Sequence, residues 1–275
     1  MERVIERLDA DVWVFQEVLD ASVLLALLGR VGERLGRSYR LRDSSQKWLT
    51  SAGNAAILKV AVAYDERRLT LRARHKLPSP ASRSVAVELQ VAGAGDGAAL
   101  TLIGVHLKSS PADVEPTEAD TATAKRAREA HAIAAWVEGF DADGQPFGLA
   151  TPEAVLIGDL NERAGRATLQ PLREGAMTSW TWHELASPVA GAVPWTCYLD
   201  HVAIDHVLTS SALSRSVVRE PWIDAFELDP SIADPAWMNA EGPIIVPGIG
   251  LAPCRVPNFY RVSDHRPIVL DLDLG

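Results

Sequence analysis

The chain has 275 residues, of which 47% are hydrophobic and 23% charged, a composition that supports a substantial core and excludes disordered, collagen-like and coiled-coil proteins. The formal net charge is -9, unevenly spread: residues 1–110 carry 16 Lys and Arg against 12 Asp and Glu, and residues 111–275 carry 11 against 24. The longest apolar run near the N-terminus, Val23 to Leu28, is far short of the roughly 20 residues of a membrane-spanning helix, and Met1–Arg7 carries acids where a leader would be apolar, so the sequence as written is expected to be cytoplasmic with no membrane span.

Val4, Ile5 and Leu8 predict a short amphipathic helix stopped by Asp9-Ala10-Asp11. Val12-Trp13-Val14-Phe15 follows as a buried strand that delivers Gln16 and Glu17 at its end. Val23, Leu24, Leu27, Leu28, Val31 and Leu35 recur at helical spacing up to Gly36. Ala55 to Tyr64, Leu69 to Arg74 and Ser84 to Val91 have strand character and read as an antiparallel meander. Leu100 to Val105 is a buried strand ending in His106-Leu107-Lys108-Ser109. Thr117 is expected to open a helix from Glu118 to about Phe140 with Ala124, Ala127, Ala130, Ile133, Ala134 and Val137 on its apolar stripe and Asp120 at a capping-box position. Strands Ala154 to Ile157, Val202 to Leu208 and Ile268 to Leu274 follow, the last preceded by Ser263-Asp264-His265-Arg266-Pro267. A Pro-rich stretch from about Glu220 to Arg261 reads as a loop insert, and a lid is the expected role. No linker separates two domains, so residues 1–275 are read as one.

The acidic surplus is either a solubility device or a sign that carboxylates converge on a divalent cation. Arg30, Arg34, Arg37, Arg40 and Arg42 form one basic gathering and Arg67, Arg68, Arg72, Arg74 and Lys76 another, each a solvated face or a polyanion surface. Cys197 and Cys254 lack the spacing of a zinc or redox motif and suit a single disulfide or two buried thiols. Trp180, Trp182 and Trp195 suit either loop anchoring or stacking on a ring.

Each polar motif alone has an ordinary structural explanation. Gly158-Asp159-Leu160-Asn161 can be a turn in which Asp and Asn bond their own backbone, Glu17 a solvated strand end, and His106 a hydrogen-bonded core histidine. Their order is more specific. The series Gln16-Glu17, His106-Leu107-Lys108-Ser109, Gly158-Asp159-Leu160-Asn161, Ile204-Asp205-His206-Val207 and Ser263-Asp264-His265-Arg266-Pro267 resembles the endonuclease/exonuclease/phosphatase superfamily of DNase I-like metal-dependent phosphoesterases, over about Leu8 to Leu274.

That resemblance implies a four-layer α/β sandwich with two packed mixed, mainly antiparallel β-sheets. It implies a hydrolase, nuclease-like and acting on phosphodiesters, with Mg2+ or Mn2+ held by Glu17 and Asp264. His265 would activate water, with Asp205 fixing its tautomer, and Asp159 and Asn161 would orient that water and bond the phosphoryl oxygens. His106 is the candidate proton donor to the leaving oxygen, while His201 and His206 have no implied role. The expected partner is a phosphoester substrate, nucleic acid foremost, and the expected state is a monomer. A small-molecule or lipid head-group phosphoesterase of the same fold, and a phosphate-binding module that does not turn over, are the alternatives. The resemblance also implies that the family's first strand, with its asparagine, is missing ahead of the first helix.

Overall fold

The computed structural model describes residues 1–18, 20–44, 48–49, 55–56, 59–77, 80–81, 83–93, 98–109, 116–139, 149, 151–187, 194, 196–197, 202–224, 241–246, 250–257 and 265–274. Helix α1 (Glu2–Leu8) leads into β1 (Val12–Val18), α2 (Ala21–Leu35) and β2 (Tyr39–Asp43). A two-residue pair, β3 (Trp48–Leu49) with β4 (Ala55–Ala56), precedes β5 (Lys59–Asp65), β6 (Leu69–Lys76), β7 (Val85–Val91), β8 (Ala99–His106) and helix α3 (Pro116–Val137). After them come β9 (Ala154–Asp159), β10 (Thr181–Trp182), β11 (Asp205–Thr209), β12 (Trp222–Ile223), β13 (Glu241–Val246), β14 (Gly250–Pro257) and β15 (Ile268–Val269). Among the described residues no helix is long and apolar enough to cross a membrane.

The helix ends follow local chemistry. Asp9 closes α1 in a left-handed conformation, the Asp20 carboxylate caps α2 by accepting from Ser22 N at 2.8 Å, and Gly36 at φ 70° ends it.

Period-two alternation then sorts the strands into layers. In β5, Val60, Val62 and Tyr64 face one way, into a core shared with Val85, Val87, Leu100, Leu102 and Val155. Ala61 and Ala63 face the other way, against Ile5, Leu24, Leu28 and Val31 of the first two helices. The opposite faces of β8 and β9 send Ile103, Val105 and Leu156 against Ala130, Ile133, Ala134 and Trp136 of α3. Three cores separate four layers: α1 and α2, a three-stranded sheet of order β1-β5-β2, a six-stranded sheet of order β10-β11-β9-β8-β7-β6, and α3. This is the expected α/β sandwich. Every pairing within the two main sheets is antiparallel except β8 with β9, whose parallel alignment follows from the α3 crossover between them. Gly104 permits the sheets to approach, since a Cβ there would stand 3.0 Å from both Val14 and Val60 side chains.

Several sequence expectations are corrected. The meander breaks between β5 and β6, which lie in different sheets. The cause is visible in their faces: β5 is buried from Val60 to Asp65 and needs cover on both sides, whereas β6 exposes Arg72 and Arg74 and suits a sheet edge. Helix α3 begins at Pro116 and ends at Val137, and Ala124 is exposed while Arg126 and Glu129 are buried. Val202 makes only an isolated bridge to Cys197, and the ladder begins at Asp205. The region from Glu220 to Arg261 is not all loop: β12 pairs with β15, and β13 and β14 form an antiparallel hairpin. Cys197 is buried and free, while the Cys254 side chain lies outside the described residues.

Four of the five arginines of the first basic gathering are paired with carboxylates, and Arg42 donates to Leu41 O. Arg30 and Arg34 pair with Glu2, Arg34 also with Glu6, Arg37 with Asp9, Asp11 and Asp65, and Arg40 with Glu66. These contacts bind α1 and β1 to α2 and β2.

Candidate active site

Strand register assembles the centre of the site. His106 is opposite Asp159 in the parallel β8–β9 ladder, and Asp159 is opposite Asp205 in the antiparallel β9–β11 ladder. The three residues therefore form one row across three neighbouring strands. By alternation they share the face of Leu102, Ile157 and Val207, the one that looks toward the three-stranded sheet. All three are buried, at 4 to 5% exposure.

His265 comes to the end of this row from the C-terminal segment. Its backbone bridges Cys197, Arg266 N donates to Thr196 O at 2.8 Å, and its Nδ1 lies 2.6 Å from Asp205 Oδ2. Thr196, which the sequence reading missed, is fully buried and its Oγ1 accepts from the backbone N–H of both Ile204 and Asp205 at 3.2 Å. A lone threonine between tryptophan and cysteine gives no signal in sequence; its role comes from the fold.

Burial and the neighbouring Asp205 carboxylate hold Asp159 well above the ordinary carboxylate range. Burial also acts to raise Asp205, but His265, through charge and hydrogen bond, holds it below that range. The two facing carboxylates are thus divided into one ionised partner of an imidazole and one that retains a proton readily. Asp159 is pinned by Asn161, which donates its backbone N–H to Oδ1 at 2.6 Å and its side-chain Nδ2 to Oδ2 at 2.7 Å. The same Nδ2 donates to Leu107 O at 3.1 Å, so both amide protons are engaged within the protein. Asn161 in this geometry positions Asp159.

Burial first, then the Arg83 charge, pushes His106 down to about 3. At neutral pH its ring carries a single proton, so it is a hydrogen-bond donor or acceptor and no cationic acid. Its Nε2 lies 3.6 Å from Asp159 Oδ2 and 3.8 Å from Glu17 Oε1.

Glu17 reaches the site through a β-bulge. The register steps from Phe15 opposite Ala61 to Val18 opposite Lys59, and Glu17 has a left-handed φ of 54°. In an unbroken strand residue 17 would share the face of Trp13 and Phe15, away from His106; the extra residue re-aims it. The described non-glycine residues with positive φ are Asp9, Glu17 and Asn161, so two of three are expected site residues, where backbone strain tends to gather. Gly158, at φ 142°, lets the chain pass beside Gln16, since a Cβ there would stand 2.1 Å from Val105 O and 2.7 Å from Gln16 Nε2.

Helix α3 supplies a support absent from the sequence reading. Glu129 Oε2 accepts from Lys108 N at 2.7 Å, Arg126 Nη1 donates to Lys108 O at 2.7 Å, and Arg83 Nη2 lies 3.9 Å from Glu129 Oε1. These groups fix the loop that follows His106 and set Arg83 within electrostatic reach of Asp159 and Glu17. Charged residues interrupting the apolar stripe of α3 were the available signal.

Other expected residues fall elsewhere. His206, one step from Asp205, faces the α3 side, bonds Glu162 O through Nε2 at 2.8 Å and meets the edge of Trp182. Trp180 and Trp182 pack on the core, and Arg173 covers the Trp182 ring at 4.0 Å, which is the loop-anchoring alternative. Asp264, His201 and Trp195 lie outside the described residues. Among the described residues no group of three or more His, Cys, Asp or Glu is arranged to hold a metal ion. The donor set nevertheless suits a hard cation bound largely by water and substrate oxygens, which needs only one or two carboxylates. Glu17, 59% exposed at its side chain beside the buried row, is such a carboxylate.

No protein-family model matches the sequence, and no curated protein does. Solved structures match across nearly the whole chain. One is an endonuclease/exonuclease/phosphatase from Bacteroides vulgatus, at 14% identity, covering 100% of this chain and 90% of that one with a TM-score of 0.60. Another is the Bacteroides thetaiotaomicron mannosyl-6-phosphatase Bt3783, at 14% identity, covering 99% and 88% with a TM-score of 0.57. A truncated Caenorhabditis elegans TDP2 matches at 13% identity, covering 97% and 86% with a TM-score of 0.56. The chain shares the fold of these structures.

Proposed function

We propose that the chain is a divalent-metal-dependent phosphoester hydrolase. The observation that carries this reading is the row of His106, Asp159 and Asp205 with His265 held 2.6 Å from Asp205. The names of two similar structures, an endonuclease/exonuclease/phosphatase and a mannosyl-6-phosphatase, support it at the level of reaction class.

With Asp205 accepting from Nδ1–H, the His265 Nε2 lone pair is presented for taking a proton from an attacking water. The imidazolium so formed is stabilised by the buried Asp205 carboxylate. Asp159 shares a second edge of the row and, being protonatable, accepts or returns a proton beside it. His106 acts as a neutral hydrogen-bonding group, and Arg83 and Lys108 supply positive charge near the row. Glu17 and Asp264 would hold Mg2+ or Mn2+, which when bound neutralises charge on the phosphoryl oxygens.

The finer reading is a nuclease-like phosphodiesterase, supported by Arg83 and Lys108 at the site. The paired arginines of α2 and β2 give it no support, and they favour the small-head-group alternative to that extent. Hydrolysis of an aryl phosphodiester and an aryl phosphomonoester with Mg2+, Mn2+ or EDTA tests the class, alongside His265→Ala and circular dichroism. Metal-dependent turnover lost in His265→Ala is the expected result. Folded protein inert in every metal, or turnover indifferent to His265→Ala, would overturn the assignment.

A further inference from the structure

On the α3 side of the catalytic row a second charged cluster surrounds the loop that follows β8. Lys108 is clamped there through its own backbone: its N–H donates to Glu129 Oε2 at 2.7 Å and its O accepts from Arg126 Nη1 at 2.7 Å. Two buried helix residues thus fix the main chain of a half-buried lysine just beyond His106. Arg126 is held in turn by Glu162, whose Oε2 lies 3.3 Å from Nη2, and Glu162 O is tied to His206.

The charge balance around that clamp is one-sided. Arg83, Lys108 and Lys125 all lie within electrostatic reach of the Glu129 carboxylate, Arg83 with Nη2 3.9 Å from Oε1 and Lys125 one turn earlier on the same face of α3. With Arg126 and Glu162 included, the described residues set four cations against two carboxylates. Burial raises Glu129 and outweighs those cations, so the shared carboxylate is a poor counter-charge. Burial first, then the charges of Arg83 and Lys125, holds Lys108 below the ordinary lysine range. Lys125 is lowered by burial as well, with Arg83 and Arg128 working against the help of Glu129. The arginines of α2 and β2 show the contrast, since Arg30, Arg34, Arg37 and Arg40 each meet a carboxylate directly. Cations gathered against their own repulsion on a fixed backbone form a site that an anion completes.

We propose that Arg83, Lys108 and Lys125 form a second anion subsite, which takes a phosphomonoester group carried by the same substrate whose scissile phosphate meets the row. Lys108 and Lys125, both half-buried, supply the ammonium donors, and the buried Arg83 adds charge from behind them. A compact cluster with two cations in excess suits a single dianionic phosphate. An extended polyanion would need a track of unpaired cations, and the paired arginines of α2 and β2 do not continue one. The substrate class is therefore a small molecule with two phosphate groups. That class deepens the hydrolase reading and rests on it, whereas anion binding at the lysines does not.

The test titrates inorganic phosphate into the chain by calorimetry, in EDTA and at physiological ionic strength, and repeats the titration with Lys108→Met/Lys125→Met, Lys108→Arg/Lys125→Arg and His265→Ala, each checked by circular dichroism. The wild type is expected to bind phosphate, the methionine pair to weaken binding about tenfold or more, the arginine pair to restore most of it, and His265→Ala to leave it unchanged. Wild-type protein that binds no phosphate overturns the proposal, as does binding indifferent to the methionine pair. Binding lost in His265→Ala would place the anion in the row and overturns it too. If the methionine pair does not fold, Lys125→Met alone carries the same comparison. Displacement of the bound phosphate then separates the sources of the anion: propane-1,3-diyl bisphosphate is expected to compete more tightly than a single-stranded oligonucleotide of internal phosphodiesters, and the reverse order overturns the small bisphosphorylated substrate. No readout needs turnover. Phosphate bound at the lysines of a protein inert toward both aryl esters would leave the subsite standing and remove the hydrolase reading, and turnover without such binding would do the opposite.

Discussion

The six-stranded sheet gives the site three residues from a single register row, each buried, whereas the three-stranded sheet gives one, Glu17, from a bulge and largely exposed. The first contribution is fixed by ladders on both sides of β9 and by Asn161 and Thr196. The second depends on one left-handed residue at an edge. The rigid half suits proton handling, which needs fixed donors and acceptors in a low dielectric. The exposed half suits a cation that keeps much of its water shell.

This contrast can be broken or sharpened by substitution. Asp205→Asn removes the charge that supports His265, and hydrolysis of an aryl phosphodiester is expected to fall about 10³- to 10⁴-fold, some 4 to 5.5 kcal/mol of barrier, with circular dichroism unchanged. A loss under tenfold would take catalysis away from the row. Gly158→Ala places a Cβ against Val105 O and should cost about 3 to 5 kcal/mol in urea unfolding. Gly165→Ala, at φ 84° with nothing within 4 Å of the added carbon, serves as its control and should cost only about 1 kcal/mol. Equal effects would show that backbone conformation, and not the close approach to the row, governs Gly158.

Glu17→Gln should lower activity about 100-fold, or 2.7 kcal/mol, with partial recovery as Mg2+ is raised and no change in stability. Recovery is the mark of the exposed half, and its absence would place Glu17 with the rigid one. The smallest effect concerns acid stability outside the site. Burial acts to raise Asp65, yet the N–H groups of Ser38 and Arg67 and the Arg37 guanidinium outweigh it and hold the carboxyl below its ordinary range. That stability is present above the unfolded pKa of about 3.9 and is lost as pH falls through the lower folded value. Wild-type stability should therefore fall more steeply than that of Asp65→Asn as pH drops below about 4, measured by urea midpoints at each pH.

Sequence pattern revealed the elements that bury one continuous face. The spacing of Leu24, Leu28 and Val31 marked α2, and the apolar run before His106 marked β8, because burial of a stripe or a strand is written locally. Sheet membership was not written locally: β5 and β6 are joined by a tight turn, and only the number of faces each must cover separates them. The site motifs were legible as strand ends carrying Asp, Asn and His. Thr196, Arg83 and Glu129 were not: Arg83 and Glu129 act on partners distant in sequence, and Thr196 acts on the backbone of Ile204 and Asp205, which no side-chain pattern reveals. The engagement of both Asn161 amide protons likewise depends on Leu107, 54 residues away.

On the proposed function, the shared register of His106, Asp159 and Asp205 would tie catalysis to the fidelity of strand pairing. Because side chains alternate, a one-residue slip of β9 against either neighbour would turn Asp159 to the α3 side and bring Gly158 into the row in its place. Such a conformer has no partial version of the site, since the same slip separates Asp159 from His106 and Asp205 together. In a refolded preparation specific activity would count the correctly paired fraction of molecules, independently of how much secondary structure has been regained.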